Sequence, residues 1–164
     1  AGYWQLAHTA FREGEVAAEN AMGHEAVVDN RAVPRPIYTD PEIAGVGLTE
    51  QEAREQYGDD VEVGMFPWVA NARAVMQNET IGWVKSIHES RYGELLGLVM
   101  VGPHVTDLIE AGVVAIDAEA TVETVADGMA AHPTLSEAIK EAGLVALGRA
   151  IHLPNRKRAA KATA

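Results

Sequence analysis

The residues best placed to do chemistry lie in one run, Ala131-His132-Pro133-Thr134-Leu135-Ser136-Glu137-Ala138. Thr134 and Glu137 have the spacing of a capping box, and Pro133 suits the position just ahead of a helix. On that reading the run only starts a helix. The same spacing allows another use. A histidine just before a helix can be reached by a carboxylate in the helix's first turn. A carboxylate on one imidazole nitrogen fixes the tautomer and leaves the other nitrogen free as a base. It also stabilises the imidazolium after proton uptake. Such a pair needs a substrate with a proton to give, such as a thiol. The chain has no cysteine and so offers no thiol nucleophile of its own. The residues alone leave both readings open.

Other candidates are weaker. The histidines at 8, 24, 88, 104, 132 and 152 show none of the short spacings of common zinc sites, so no metal site is expected. Gly45-Val46-Gly47 has Glu50 where a dinucleotide fingerprint would need its third glycine. The 13 Lys and Arg against 24 Asp and Glu give a net charge of −11, the wrong sign for neutralising phosphates, so nucleic acid is not an expected partner. No run of about 18 apolar residues predicts a membrane span. Ala1-Gly2-Tyr3-Trp4-Gln5-Leu6 has neither the basic nor the apolar region of a signal peptide, which gives a cytoplasmic expectation. It also lacks an initiator Met, which points to a fragment or a processed product.

The elements that must position these residues follow from pattern. Residues 5–22 read as a helix with a narrow stripe of Leu6, Ala10, Ala17 and Ala21 beside Phe11, capped by Gly23. Ile37 to Thr39, Ile43 to Leu48, Val61 to Trp68, Ile81 to His88 and Leu95 to Val101 read as strands, the last two as a hairpin about Ser90-Arg91-Tyr92-Gly93. Leu95 to Val101 is nearly all apolar, as a central strand requires. Thr49 to Glu52 fits a capping box and opens a helix through Tyr57, stopped by Gly58. Asn71 to Asn78 is irregular or a short helix. Three more helices are predicted over 106–118, 121–128 and 134–148, with Leu108, Ile109, Val113, Ile116, Leu135 and Ile139 inward. Clustered strands with helices at the ends give an α+β fold, an antiparallel sheet with helices packed on it. Residues 154–164 read as a basic disordered tail.

With those elements in place, His132-Pro133-Thr134-Leu135-Ser136-Glu137-Ala138 closely resembles the signature of the dihydrolipoamide dehydrogenase family. These enzymes are FAD-dependent pyridine nucleotide–disulfide oxidoreductases. Tyr38-Thr39-Asp40-Pro41-Glu42-Ile43-Ala44-Gly45-Val46-Gly47-Leu48-Thr49-Glu50 resembles the opening of that family's dimerisation domain. Gly97-Leu98-Val99-Met100-Val101-Gly102-Pro103 resembles its central strand and turn. Gln5-Leu6-Ala7-His8 resembles the end of its FAD domain. Together the motifs span residues 5–153 in the right order.

The resemblance implies a C-terminal fragment. Residues 1–30 would be a helix left from the FAD domain and a linker, 31–153 the dimerisation domain, and 154–164 the tail. It implies a homodimer in which each active site is built from two chains. His132 would be the acid/base and Glu137 its orienting carboxylate, delivered to the partner's site. His132 would take a proton from a dihydrolipoyl group of a 2-oxo acid dehydrogenase complex, and the thiolate would attack the enzyme's disulfide. Electrons would then pass through FAD to NAD. Pro133 would follow a cis peptide near the partner's flavin. Leu6, Ala7 and His8 would present helix-start amides to the flavin. The fragment alone would be inactive and would hold no cofactor tightly. Leu135-Ser136-Glu137-Ala138 favours lipoamide over glutathione as substrate, while Ala130 departs from a second histidine common in the family. Two alternatives accompany this reading: an interaction module whose His–Glu run is only a cap, and a related flavoprotein disulfide or quinone reductase without lipoamide activity.

Overall fold

The structure is a computed structural model, and it describes residues 2–155. Strands β1 (Arg35–Ile37), β2 (Glu42–Gly47), β3 (Val61–Pro67), β4 (Trp83–Glu89) and β5 (Leu95–Gly102) form one antiparallel sheet in the order β1-β2-β5-β4-β3. The apolar run at 95–101 is central, as its composition requires, because both of its faces are covered. β4 and β5 form the expected hairpin. The Glu89 carboxylate closes its turn by accepting the N–H groups of Arg91 and Tyr92.

The first strand differs from the pattern. It lies at Arg35–Ile37, and Tyr38 stands outside it in solvent. The Arg35 guanidinium donates to the Gly47 carbonyl at 2.7 Å, and pairing with β2 ends at Ile37–Ile43. The connection to β2 therefore takes up Tyr38 and Thr39. β3 likewise ends at Pro67, one residue early. Trp68 turns inward into a single 3-10 turn (Trp68–Ala70), is fully buried, and donates its indole N–H to the Val101 carbonyl at 2.7 Å.

Helices cover the sheet. α1 (Ala7–Ala21), α2 (Glu50–Tyr57), α3 (Ala72–Gln77), α4 (Val105–Leu108), α5 (Glu110–Asp117), α6 (Val122–Asp127) and α7 (Glu137–Ala146) occur in that order. α2 is as predicted, with both capping-box bonds present and Gly58 at its end. It sets Ala53 against Val61, Ile87 and Leu96 on one face of the sheet. α5 and α7 press on the other face, over Val46, Phe66, Val84, Leu98 and Met100. Burying each large apolar side chain there contributes about 1.5–3 kcal/mol. Gly64 of β3 makes the α7 contact possible: a Cβ there would stand 1.8 Å from the Ala142 carbonyl oxygen.

Three helical expectations change. The helix predicted over 106–118 is two helices, α4 and α5, and its buried set is Val105, Ile109, Gly112 and Ile116. Leu108 and Val113 are only partly buried. In α1 the alanine stripe faces solvent; Thr9 and Val16 are buried, and Phe11 is 72% exposed. The reason is lateral docking. The His8 Nε2–H donates to the Pro34 carbonyl at 2.8 Å, so α1 turns the side carrying His8 and Thr9 toward the 27–34 segment and α5. Finally, α7 starts at Glu137, two residues later than a box capped by Thr134 would start it. Residues 156–164 of the expected basic tail lie outside the described residues. Asn155 within it is folded back, exchanging two hydrogen bonds with the Ala150 backbone.

Candidate active site

The connection from α6 to α7 carries His132, and its conformation follows from its own side chains. The His132–Pro133 peptide is cis. The Thr134 hydroxyl donates back to the Ala131 carbonyl at 2.6 Å, so it does not cap α7. Ser136 occupies the N-cap position and makes no side-chain cap bond. Only half of the predicted box exists: the Thr134 N–H donates to Glu137 Oε2 at 2.9 Å. The other Glu137 oxygen is thereby left for an imidazole. His132 Nδ1 lies 2.9 Å from Oε1 and 3.2 Å from Oε2.

The electrostatics suit a base. The His132 side chain is 66% exposed, whereas that of Glu137 is 19% exposed. Partial burial opposes ionisation of Glu137. The Thr134 N–H, the His132 hydrogen bond and the charges of His132 and His152 outweigh that burial and hold the carboxyl below its ordinary range. Glu137 is therefore a carboxylate near neutral pH, and His132 Nδ1 is the donor. That tautomer leaves Nε2 unprotonated on the exposed ring. The pair can accept one proton at Nε2 and stabilise the resulting imidazolium.

Residues far apart in sequence hold the pair. Asn71 is buried. Its Oδ1 accepts the Ala74 N–H and caps α3, and its Nδ2 donates to the Thr134 carbonyl at 3.0 Å. This ties the His132 connection to α3. A second pair lies alongside: His152 Nδ1 is 2.9 Å from Glu141 Oε1. Both pairs line one pocket of about 290 Å³, walled by Phe66, Val69, Asn71 and Val75. Asn71, Glu141 and His152 were not singled out from sequence. The spacing of Glu137 and Glu141, one helical turn apart, is the signal that could have found the second carboxylate.

The predicted flavin-edge residues sit elsewhere. Leu6 is the N-cap of α1, without a side-chain bond. The first N–H bonded within the helix is that of Ala10, so those of Ala7, His8 and Thr9 have no acceptor inside it. The His8 ring is committed to Pro34. The groove lined by His8 and the pocket lined by His132 share no residue. One chain thus does not bring Leu6, Ala7 and His8 to His132. Among the described residues no group of three His, Cys, Asp or Glu is placed to hold a metal, and no helix is long and apolar enough to cross a membrane.

Known proteins share this fold. Residues 33–143 match the family described as pyridine nucleotide-disulphide oxidoreductase, dimerisation domain. The chain is 45% identical over 148 residues to a dihydrolipoyl dehydrogenase of Bacillus subtilis (strain 168), covering 90% of this chain and 32% of that protein. It is 47% identical over 151 residues to the dihydrolipoyl dehydrogenase of Halobacterium salinarum, covering 92% and 32%. LpdA from Mycobacterium tuberculosis superposes with a TM-score of 0.79 at 33% identity, over 87% of this chain and 31% of its own. The HOCl-induced flavoprotein disulfide reductase RclA from Escherichia coli gives 0.80 at 26% identity, over 87% and 33%. The chain spans about a third of the length of these relatives. The five-stranded sheet and the match across 33–143 agree, and the chain belongs to the dimerisation-domain family of the pyridine nucleotide-disulphide oxidoreductases.

Proposed function

We propose that this chain is the dimerisation part of a flavin-dependent dihydrolipoamide dehydrogenase, and that it supplies His132 and Glu137 to the active site of a partner subunit. The observation that carries this reading is the diversion of Glu137. A residue spaced to close a capping box keeps its bond to the Thr134 N–H and also holds His132 Nδ1 at 2.9 Å, with the ring turned out to solvent. On this reading residues 1–30 belong to the end of an FAD domain and a linker, and 31–153 are the dimerisation domain. The substrate is a dihydrolipoyl group carried by a 2-oxo acid dehydrogenase complex.

The chemistry asked of the pair is one proton transfer. His132 Nε2 accepts the proton of a dihydrolipoyl thiol, and the electron pair stays on sulfur. The thiolate attacks a disulfide sulfur of the enzyme, one S–S bond forming as another breaks. Glu137 stabilises the imidazolium throughout. Bound FAD supplies the route for electrons from the dithiol to NAD+. The free N–H groups at the start of α1 present a positive helix end suited to the electron-rich edge of a flavin. Because His8 and His132 lie in separate grooves, the two sets of residues would meet across a homodimer. Val69 and Val75, on the rim of the His132 pocket, are largely exposed, as is Met76 beside them. An apolar rim of this kind fits a large partner contact. The chain alone is expected neither to turn over nor to hold FAD tightly.

A second reading has one observation in its favour. The likeness to RclA is as close in shape as that to LpdA, which fits a disulfide reductase with another substrate or acceptor. Stopped-flow flavin reduction in the full-length protein separates the two. Rapid reduction by dihydrolipoamide that collapses in His132→Gln is expected. Rapid reduction that survives the substitution removes the acid/base role. A flavoprotein that dihydrolipoamide does not reduce moves the function to another acceptor.

A further inference from the structure

The loop that carries His132 is shaped by short-range bonds. The Thr134 N–H donates to Glu137, the Thr134 hydroxyl donates to the Ala131 carbonyl, and Ser136 Oγ lies 2.9 Å from that hydroxyl. With the His132–Glu137 bond, these contacts span five residues at most, so they set the form of the loop but give it no polar tie to the sheet. Asn71 supplies that tie. It is 3% exposed, and each of its four polar groups makes a hydrogen bond. Its N–H donates to the Trp68 carbonyl at 2.9 Å, and its carbonyl accepts the Val75 N–H at 3.1 Å. Its Oδ1 accepts the Ala74 N–H at 2.9 Å, and its Nδ2 donates to the Thr134 carbonyl at 3.0 Å. Trp68 in turn donates its indole N–H to the Val101 carbonyl of β5. Gly102 makes room for that indole, since a Cβ there would stand 2.0 Å from Nε1. A line of hydrogen-bonded residues thus runs from the central strand through Trp68, Asn71 and Thr134 to Glu137 and the His132 ring.

We propose that Asn71 is a positioning residue for His132: its Nδ2 donation to the Thr134 carbonyl anchors the loop that carries the base to the central strand of the sheet. This rests on the reading of His132 as the thiol base. The His132 side chain is 66% exposed, so packing does little to hold the ring, and its place is set through Glu137 and the loop. Proton transfer depends on that place, because a reacting group moved by about 1 Å can cost about 10²-fold in rate. A primary amide is the side chain the position needs. One end must accept from Ala74 to cap α3, and the other must donate to Thr134. An aspartate would keep the cap but set a carboxylate oxygen against the Thr134 carbonyl. A serine would keep an oxygen for the cap and be too short to reach Thr134.

The test reduces the flavin of the full-length protein in two ways, with dihydrolipoamide and with NADH, each followed by stopped flow. Only the first asks a proton transfer of His132. Asn71→Asp and Asn71→Ser each keep an acceptor for the Ala74 N–H, so the α3 cap should survive, and melting temperatures check this. Both variants are expected to slow reduction by dihydrolipoamide about ten- to a hundredfold and to leave reduction by NADH unchanged. In a His132→Gln background, Asn71→Ser is expected to cost nothing further, because the base it positions is gone. That comparison also removes any share owed to a weakened fold. The inference is overturned if both variants keep the wild-type rate with dihydrolipoamide, or if the two reductions fall together. It is overturned as well if Asn71→Ser slows the His132→Gln protein by the same factor as wild type. If His132→Gln alone is reduced by dihydrolipoamide at the wild-type rate, the reading beneath falls, and the inference with it.

Discussion

Two stretches of this chain carry the same four-residue pattern and use it differently. In Thr49-Glu50-Gln51-Glu52 the Thr49 hydroxyl accepts the Glu52 N–H, the Glu52 carboxylate accepts the Thr49 N–H, and α2 begins at once. In Thr134-Leu135-Ser136-Glu137 the threonine hydroxyl turns back to Ala131, and α7 begins only at Glu137. The carboxylate keeps its bond to the Thr134 N–H and spends its other oxygen on His132. The first carboxylate is taken up by the N–H and hydroxyl of Thr49, whereas the second is divided between backbone and imidazole. A helix start can therefore orient a histidine ring at almost no extra structural cost, because the carboxylate was needed there anyway.

Substitutions should pull the two boxes apart. The largest effect is expected from His132→Gln, a loss of about 10²–10⁴-fold in flavin reduction by dihydrolipoamide, read by stopped flow. Stability should hardly change, since the ring is mostly in solvent. A wild-type rate would make the second box as inert as the first.

A buried imidazole sharpens the contrast. His88, at the bulge in β4, shares a hydrogen bond with Ser86 Oγ at 2.8 Å. Burial, opposed by the charges of Glu123 and Glu62, pushes it down to about 4. The unfolded chain takes up this proton first, near the ordinary histidine value of about 6.5. The stability His88 permits is therefore complete above about pH 6.5 and is lost as pH falls toward 4. Urea unfolding of the full-length protein should show about 2 kcal/mol less stability at pH 5 than at pH 7.5 from this group. His88→Gln should flatten that slope, and an unchanged slope would remove His88 as its source.

Smaller effects test the caps directly. Thr49→Ala should cost about 1 kcal/mol in thermal unfolding and leave turnover intact. Glu137→Ala should cost a similar amount through its lost backbone bond and should also slow the thiol step. A Glu137→Ala protein with full turnover would return the second box to a purely structural role. Glu52 and Glu137 both sit below the ordinary carboxylate range, for Glu52 chiefly because of its bonds to Thr49. Both contributions are present above that range and should disappear as pH falls through it, which acid titration of Thr49→Ala against wild type should show first for Glu52.

What the sequence determined by itself is local. The α2 box, the β4–β5 hairpin and the central apolar strand were legible because they depend on neighbouring residues and backbone groups. His132 and Glu137 are five residues apart, and their meeting needed only a turn that leads into α7 at Glu137. Tertiary structure decided the rest. Asn71 reaches a carbonyl 63 residues away, and Glu141 meets His152 only because the chain doubles back after Gly148. The buried side of α1 was set by its partner, not by its alanines, since burial depends on which surface a helix meets. Hydrophobic pattern reports which residues tolerate a core, whereas docking chooses which of them enter it. The composite pocket, with two imidazoles held by two carboxylates of one helix, exists only after that choice is made.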